Sequence, residues 1–482
     1  MARLDLRPPI LVVLACLLVG CSLIPEYRRP DLPVAQTFPS DSPANNGCTQ
    51  CDLPLWEAFV TDERLKRLIA LALANNRDLR VAALNVAQSE AQYRISRAQL
   101  YPSVDASASA TRQKISADNN LGFGSFGNSG ALPGVSLGSS TSNAFSANLA
   151  TSSYEIDFFG RIRSLNQQAL EQYFSTEEAR RNSQIALIAE VSIQYFTSLQ
   201  AEQQIELATR TLGSVLESYQ VNLAKFNAGE ANELDLRTAE GQVQTARLNL
   251  LNYQRELQVS DDALVLLLGG PQPNDLPPAR PFDDVDRLAD TPAGLPSDLI
   301  ERRPDILAAE HTLKAANANI GAARAAYFPS ITLTGSVGSS SSQLSQLFGS
   351  GTGAWSFSPQ ISLPIFTGGK NDANLEAARV AVQIDVASYE KTIQTAFKEV
   401  ADALWSIESY RGQIVEGNKL VTAQQRRLEL ATLRYRFGED SYLNVTLAQQ
   451  DLYNAQQNVL NAKLNKLSSQ ISLYQALGAG WQ

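Results

Sequence analysis

The chain predicts a mixed architecture: a membrane β-barrel shared between copies, joined to an all-α coiled-coil tunnel, with four strands per chain and duplicated halves. Three observations carry this expectation. The sequence is written twice, it holds two very long proline-free helical stretches, and each half carries a pair of alternating apolar and polar segments. The duplication is read directly. Asp78–Ser103, DLRVAALNVAQSEAQYRISRAQLYPS, returns 227 positions later as Asp305–Ser330, DILAAEHTLKAANANIGAARAAYFPS. Lys225–Glu230, KFNAGE, returns 209 positions later as Arg434–Glu439, RYRFGE. A repeat this long is a duplicated half-molecule, well beyond the periods of solenoids.

The first elements are processing signals. Arg3 and Arg7 precede one apolar run, Ile10–Val19, of ten residues. That run is too short to cross a bilayer as a helix, which needs about 20 residues. It ends Leu18-Val19-Gly20-Cys21, which reads as a bacterial lipobox, so residues 1–20 are expected to be a signal peptide and Cys21 the acylated first residue. Ser22, rather than aspartate, follows the cysteine and favours an outer-membrane address. Residues 21–61 are proline-rich and read as an extended arm. They contain Cys48 and Cys51, expected to close a small disulfide loop in an oxidising periplasm, with free thiols and a metal or redox role as the alternatives.

The first repeat spans residues 62–270. It opens with helical sequence to about residue 100, interrupted near Asn75-Asn76. Strands are predicted at 104–112 and 143–157: Val104, Ala106, Ala108 and Ala110 alternate with Asp105, Ser107, Ser109 and Thr111, and Phe145, Ala147 and Leu149 with Ser146, Asn148 and Ala150. Such alternation puts one face on something apolar and the other on water. A helical hairpin then fills 161–268. Residues 271–298, rich in Pro and Asp, are an equatorial linker.

The second repeat, 299–482, has the same order. Strands are predicted at 331–339 and 354–364, where Trp355, Phe357, Pro359, Ile361 and Leu363 alternate with Ser356, Ser358, Gln360 and Ser362. A second hairpin covers 369–477. No proline occurs between Gly134 and Gly270 or after Pro364. Each long helix approaches 70 residues, on the order of 100 Å at about 1.5 Å per residue. Ile393, Phe397, Val400, Leu404 and Ile407 form a 4-3-4-3 seam, matched by Ile185, Ala189, Ser192, Phe196 and Leu199, which is coiled-coil spacing. Four strands cannot close a barrel, because sheet edges are not tolerated in lipid and single-chain barrels start at about eight strands. The chain must therefore be an oligomer.

Composition excludes other classes. The net charge is −9 and no basic block is present, against a nucleic-acid partner. One histidine, His311, and one methionine nearly exclude a histidine-based catalytic or zinc site. No nucleophile–base arrangement is visible, so no catalytic residue, metal site, cofactor or enzymatic activity is expected.

These residues together resemble the TolC-like outer membrane factors, specifically the lipoprotein, NodT-type channels of tripartite efflux pumps. The resemblance rests on the lipobox, Tyr101-Pro102-Ser103 and Phe328-Pro329-Ser330, the junctions Asp157–Arg161 and Leu363–Phe366, Arg302–Asp305, and the ending Tyr474–Trp481. It implies a homotrimer with a twelve-stranded barrel in outer-membrane lipid, a periplasmic helical tunnel and a passive cargo route for drugs or other small toxic compounds. It also implies a periplasmic adaptor and an inner-membrane transporter of the RND type. The adaptor-docking tips would be Ala228, Gly229, Phe437 and Gly438, within segments 228–234 and 437–443. The periplasmic gate would lie at Leu443, Leu447, Gln450 and Asp451. Relatives often carry Asp and Arg where this chain has Leu447 and Gln450, so closure is expected to rely on Leu443 rings and polar contacts. The exit duct of a type I protein secretion system uses the same architecture and is the alternative function; a structural coiled-coil lipoprotein is a more distant one.

Overall fold

The structure is a computed structural model that describes residues 22–35, 38, 54–115, 140–282, 288–289 and 303–478. The signal peptide, Cys21, Cys48, Cys51, most of the linker beyond Phe282, Arg302 and the last four residues lie outside the described residues. Helices α1 (Glu63–Asn75) and α2 (Arg77–Ala98) lead into strands β1 (Asp105–Ile115) and β2 (Ser140–Ile156). The hairpin α3 (Arg161–Asn227) and α4 (Glu233–Leu268) follows. The second half repeats this as α5 (Pro304–Ala325), β3 (Ser330–Ser341), β4 (Gly353–Ser362), α6 (Lys370–Arg436) and α7 (Tyr442–Ala476). Both long helices have 67 residues. The break between α1 and α2 is made by Asn76, whose Oδ1 accepts from the Leu79 amide at 2.9 Å while its Nδ2 donates to the Leu267 carbonyl at 2.9 Å.

Two compact units divide the chain, one drawn from Met1–Arg28, Glu90–Gln172 and Leu313–Ile384, the other from Arg29–Ser89, Tyr173–Thr312 and Asp385–Gln482. The first holds the sheet, antiparallel throughout in the order β1-β2-β3-β4. Its register aligns Ala106 with Leu149, Leu149 with Val337, and Val337 with Trp355, so the apolar members of all four strands share one face. Most of the serines and threonines share the other with Asp105 and Glu155; there the Ser109 and Ser146 hydroxyls meet at 2.8 Å and those of Ser336 and Ser356 at 2.7 Å.

One irregularity was not foreseen. The pairing steps from Thr151 opposite Gly335 to Tyr154 opposite Leu333, leaving one extra residue in β2. This is a β-bulge, with Ser153 in the left-handed region at φ 53°. Before it the apolar positions of β2 are odd (Phe145, Ala147, Leu149); after it they are even (Tyr154, Ile156). The bulge returns both sets to the same face.

Below the sheet Asp157 caps α3, accepting from the amides of Ile162 (3.2 Å) and Arg163 (2.8 Å), and Glu155 takes a two-pronged bond from Arg161 at 2.9 and 2.5 Å. Phe159 and Phe328 stack at 4.7 Å. The arm runs along α5: Asn317 and Arg324 donate to the Pro25 and Leu23 carbonyls, and Lys314 sits over the Tyr27 ring. A Cβ on Gly321 would lie 2.6 Å from Ile24, so only glycine admits the arm there.

In the second unit the coiled-coil seams are the core. Ile185, Ala189, Ser192, Phe196 and Leu199 are all buried, and Leu65, Leu68 and Ile69 of α1 join Val191 and Phe196 of α3, Leu264 and Leu268 of α4, and Leu467 and Ile471 of α7. A second cluster gathers Tyr389, Ile393, Ala396 and Val400 of α6 with Ile306 of α5 and Leu473 of α7. Asp62 caps α1 and accepts the Tyr195 hydroxyl at 3.1 Å.

Candidate functional site at the hairpin tips and the sheet

Each of the two long helices ends in one reversal of direction, and both reversals are built alike. In the first, Gly229 has φ 79°, its amide donates to the Phe226 carbonyl at 2.9 Å, and the Glu230 amide donates to the Lys225 carbonyl at 2.8 Å. In the second, Gly438 has φ 75°, donating to Tyr435 at 3.1 Å, with Glu439 donating to Arg434 at 2.9 Å. This paired pattern is the Schellman motif, which needs a left-handed residue that glycine supplies without steric cost. The restarts differ. Asn232 caps α4 through the Asp235 amide at 2.8 Å. At the second tip Asp440 instead gathers the Ser441 amide (2.8 Å), the Asn444 side-chain amide (2.6 Å) and Arg434 (3.4 Å). Bonds from Asn444 and the Ser441 amide hold the Asp440 carboxyl below the usual carboxylate range.

The hairpins are pinned together just above the turns. The Tyr435 hydroxyl donates to Asn222 Oδ1 at 2.5 Å, Lys225 Nζ lies 4.2 Å from the Tyr435 ring centre and donates to its carbonyl, and Tyr435 packs on the buried Tyr442 ring at 5.3 Å. Burial, with the nearby Asp235 charge, pushes the Tyr435 hydroxyl up. Ala239, Tyr442 and Val445 form a small core there.

The predicted docking residues Ala228, Gly229, Phe437 and Gly438 all stand exposed at the turns, Phe437 at 79%. Leu443 (57% exposed), Leu447 and Gln450 line one outward stripe of α7, at spacings of four and three residues, opposite the buried Tyr442, Val445 and Ala448. Asp451 lies beside that stripe and is held by Arg427 of α6 at 2.5 Å. The positions matching Arg427 and Asp451 in the first hairpin are Ser218 and Gln242, so this ion pair belongs to the second hairpin alone.

Sequence reasoning missed two clusters. One is Tyr435 with Asn222 and Lys225, in which Tyr435 sits over 200 positions from the other two. The other is Arg303, 8% exposed, which binds Asp305 at 3.0 and 2.7 Å, Glu399 at 3.0 Å and the Ala476 carbonyl at 2.7 Å. The sequence signal for the latter was the Arg-Pro-Asp string itself, read only as a mark of resemblance.

Among the described residues no helix is long and apolar enough to cross a membrane, and no His, Cys, Asp and Glu cluster could hold a metal ion. What the molecule offers instead is a two-faced sheet and two exposed tips.

Comparison with known proteins places these features. A family model described as outer membrane efflux protein matches residues 68–270 and 295–479. The toluene efflux pump outer membrane protein TtgC of Pseudomonas putida is 46% identical over 477 residues, covering 98% of this chain and 95% of that protein. The antibiotic efflux pump outer membrane protein ArpC of Pseudomonas putida matches with the same identity and coverage. The crystal structure of the open state of the MtrE outer membrane channel of Neisseria gonorrhoeae superposes with a TM-score of 0.81 at 37% identity, covering 96% of this chain and 99% of that one.

Proposed function

The chain belongs to the outer membrane efflux protein family, and from that premise we propose that it is the passive, homotrimeric duct of a tripartite pump that expels small, largely apolar toxic compounds. Its fold is that of TolC-type channels and its place is the outer membrane. One observation carries the duct reading. The four-stranded sheet has one face that gathers its large apolar side chains and one that is polar and rich in serine and threonine, with Asp105 and Glu155 among them, and among the described residues β1 and β4 each pair on one side only. Lipid does not accept open strand edges. Three copies in cyclic symmetry would pair β4 of each with β1 of the next and close a twelve-stranded barrel. Its polar, serine- and threonine-rich interior would pass small molecules with little selection.

Cargo and partners follow from the relatives and the tips. Proteins 46% identical to this chain are described as serving toluene and antibiotic efflux, which supports organic toxicants as cargo here over secreted proteins. The exposed turns at Ala228, Gly229, Phe437 and Gly438 are the docking points for a periplasmic adaptor, which links the duct to an inner-membrane transporter of the RND type. Leu443 and Leu447 form apolar rings at the periplasmic mouth, with Gln450 and the Asp451–Arg427 pair beside them. Cys21 carries the lipid anchor.

The experiment is complementation. Expressed with a cognate adaptor and transporter in a host lacking its own outer-membrane duct, the chain should restore tolerance to toluene and to hydrophobic antibiotics. Unchanged sensitivity, with trimers assembled in the outer membrane, would remove the cargo assignment.

A further inference from the structure

The sheet register puts two cations on the lipid-facing side of the barrel. Strand β1 presents Ala106, Ala108 and Ala110 on the face that carries Leu149, Val337 and Trp355. Continuing at the same parity, Arg112 lies opposite Asn143 and Lys114 opposite Thr141. Both basic side chains are exposed, neither is in an ion pair among the described residues, and their cross-strand neighbours on that face are neutral. From Val104 to Lys114 is about 34 Å of strand. At the 35–45° tilt of membrane strands this is about 25 Å along the membrane normal, the height of the apolar band. The pair therefore sits where that band ends. A cation on this face is strongly disfavoured at mid-depth and tolerated at the interface. The end in question is the one away from the helices, hence the outer leaflet, a step that rests on the outer-membrane duct reading.

We propose that Arg112 and Lys114 form an outward-facing anion site that binds the phosphate groups of a phosphorylated glycolipid of the outer leaflet. Arginine supplies a planar two-pronged donor and lysine a mobile point charge. Set two residues apart on one face, roughly 7 Å from each other, they can share one phosphate or bridge two. In a trimer three such pairs would ring the barrel and fix its depth and lipid collar.

The test uses the full-length trimer in nanodiscs made with lipopolysaccharide, or with the same lipid after enzymatic dephosphorylation. Lipid retained after a detergent wash is counted by native mass spectrometry for wild type and for the Arg112→Gln, Lys114→Gln double variant. Two cations near an anionic surface correspond to about a 30-fold loss of affinity when removed. Retention of phosphorylated lipid should fall accordingly in the variant, and salt should narrow the difference. Dephosphorylated lipid should be retained equally weakly by both. Equal retention of phosphorylated lipid by wild type and variant overturns the proposal. The duct reading is checked separately by quenching of Trp355 with brominated acyl chains, in a chain whose other three tryptophans are Phe. Unquenched Trp355 would refute the outward-facing apolar surface itself, whereas quenching with equal lipid retention would refute only the anion site.

Discussion

Deleting Ser153 should prevent this chain from forming a membrane-inserted trimer. Ser153 belongs to the bulge that lets β2 change parity between Leu149 and Tyr154. Without the extra residue, one side of the strand must slip by one, and a slip of one turns every side chain to the opposite face. If the upper part slips, Phe145 and Leu149 move from the lipid face to the water-filled interior, and Asn148 and Ser146 move into lipid. The two large side chains alone lose about 1.5–3 kcal/mol each, or about 3–6 kcal/mol per chain, and the Ser109–Ser146 contact goes with them. If the lower part slips, Glu155 is carried to the lipid face and its two-pronged bond with Arg161 is broken. Either route consumes much of a typical folding stability of about 5–15 kcal/mol. The assay is the yield of heat-modifiable trimer after refolding into vesicles. Ser153→Gly is the control; it keeps the residue count and relieves the left-handed backbone, so its yield should equal or exceed wild type. Wild-type yield from the deletion would refute the register argument.

Other consequences are sharper at single residues. Arg303→Met leaves the buried Ala476 carbonyl without its donor and the partly exposed Asp305 and Glu399 carboxylates without their cation, and should destabilise the second unit by about 1–3 kcal/mol; Arg303→Lys should recover only part, since lysine cannot fork, and urea unfolding reads both. Leu443→Ala should raise single-channel conductance and antibiotic uptake; unchanged values for both would show that Leu443 is not the gate. Asp440, its carboxyl held below the usual range, stabilises the second turn above the unfolded aspartate value of about 3.9 and loses that contribution as pH falls through its folded value. Hydrogen exchange at Ser441–Asn444 should thus be flat from pH 8 to 5, after correction for intrinsic rates, and quicken on further acidification. Asp440→Asn should lack that acid step.

How much of this was legible in the sequence varied with how locally each feature is encoded. The tips were legible because the left-handed residue of a Schellman motif is nearly always glycine, and Gly229 and Gly438 sit at matching places in the two repeats. The seams were legible because 4-3-4-3 spacing survives at any length, and the helix break near Asn75-Asn76 because asparagine competes for backbone bonds. Strand limits were harder. Strand β1 runs to Ile115 rather than 112, since Arg112-Gln113-Lys114 hides the alternation, and β2 starts at Ser140 rather than 143 for the same reason in Ser140-Thr141-Ser142. The bulge left a trace, the parity change between Leu149 and Tyr154, which a reading of β2 as one strand passes over. The Arg303 cluster and the Tyr435–Asn222–Lys225 pin draw on residues far apart in the chain, and only the packed hairpins bring them together. The Arg427–Asp451 pair was not legible either, because Arg427 lies on the preceding helix, 24 positions away.

The partner that meets the hairpin tips decides what kind of duct this is. A photo-crosslinking residue placed at the exposed Ser441, in living cells carrying the pump's three components, is the measurement to make. Capture of the periplasmic adaptor of a proton-driven drug exporter is the expected result. Capture of an ATP-driven protein exporter's adaptor, or no adaptor at all from properly assembled trimers, would contradict it.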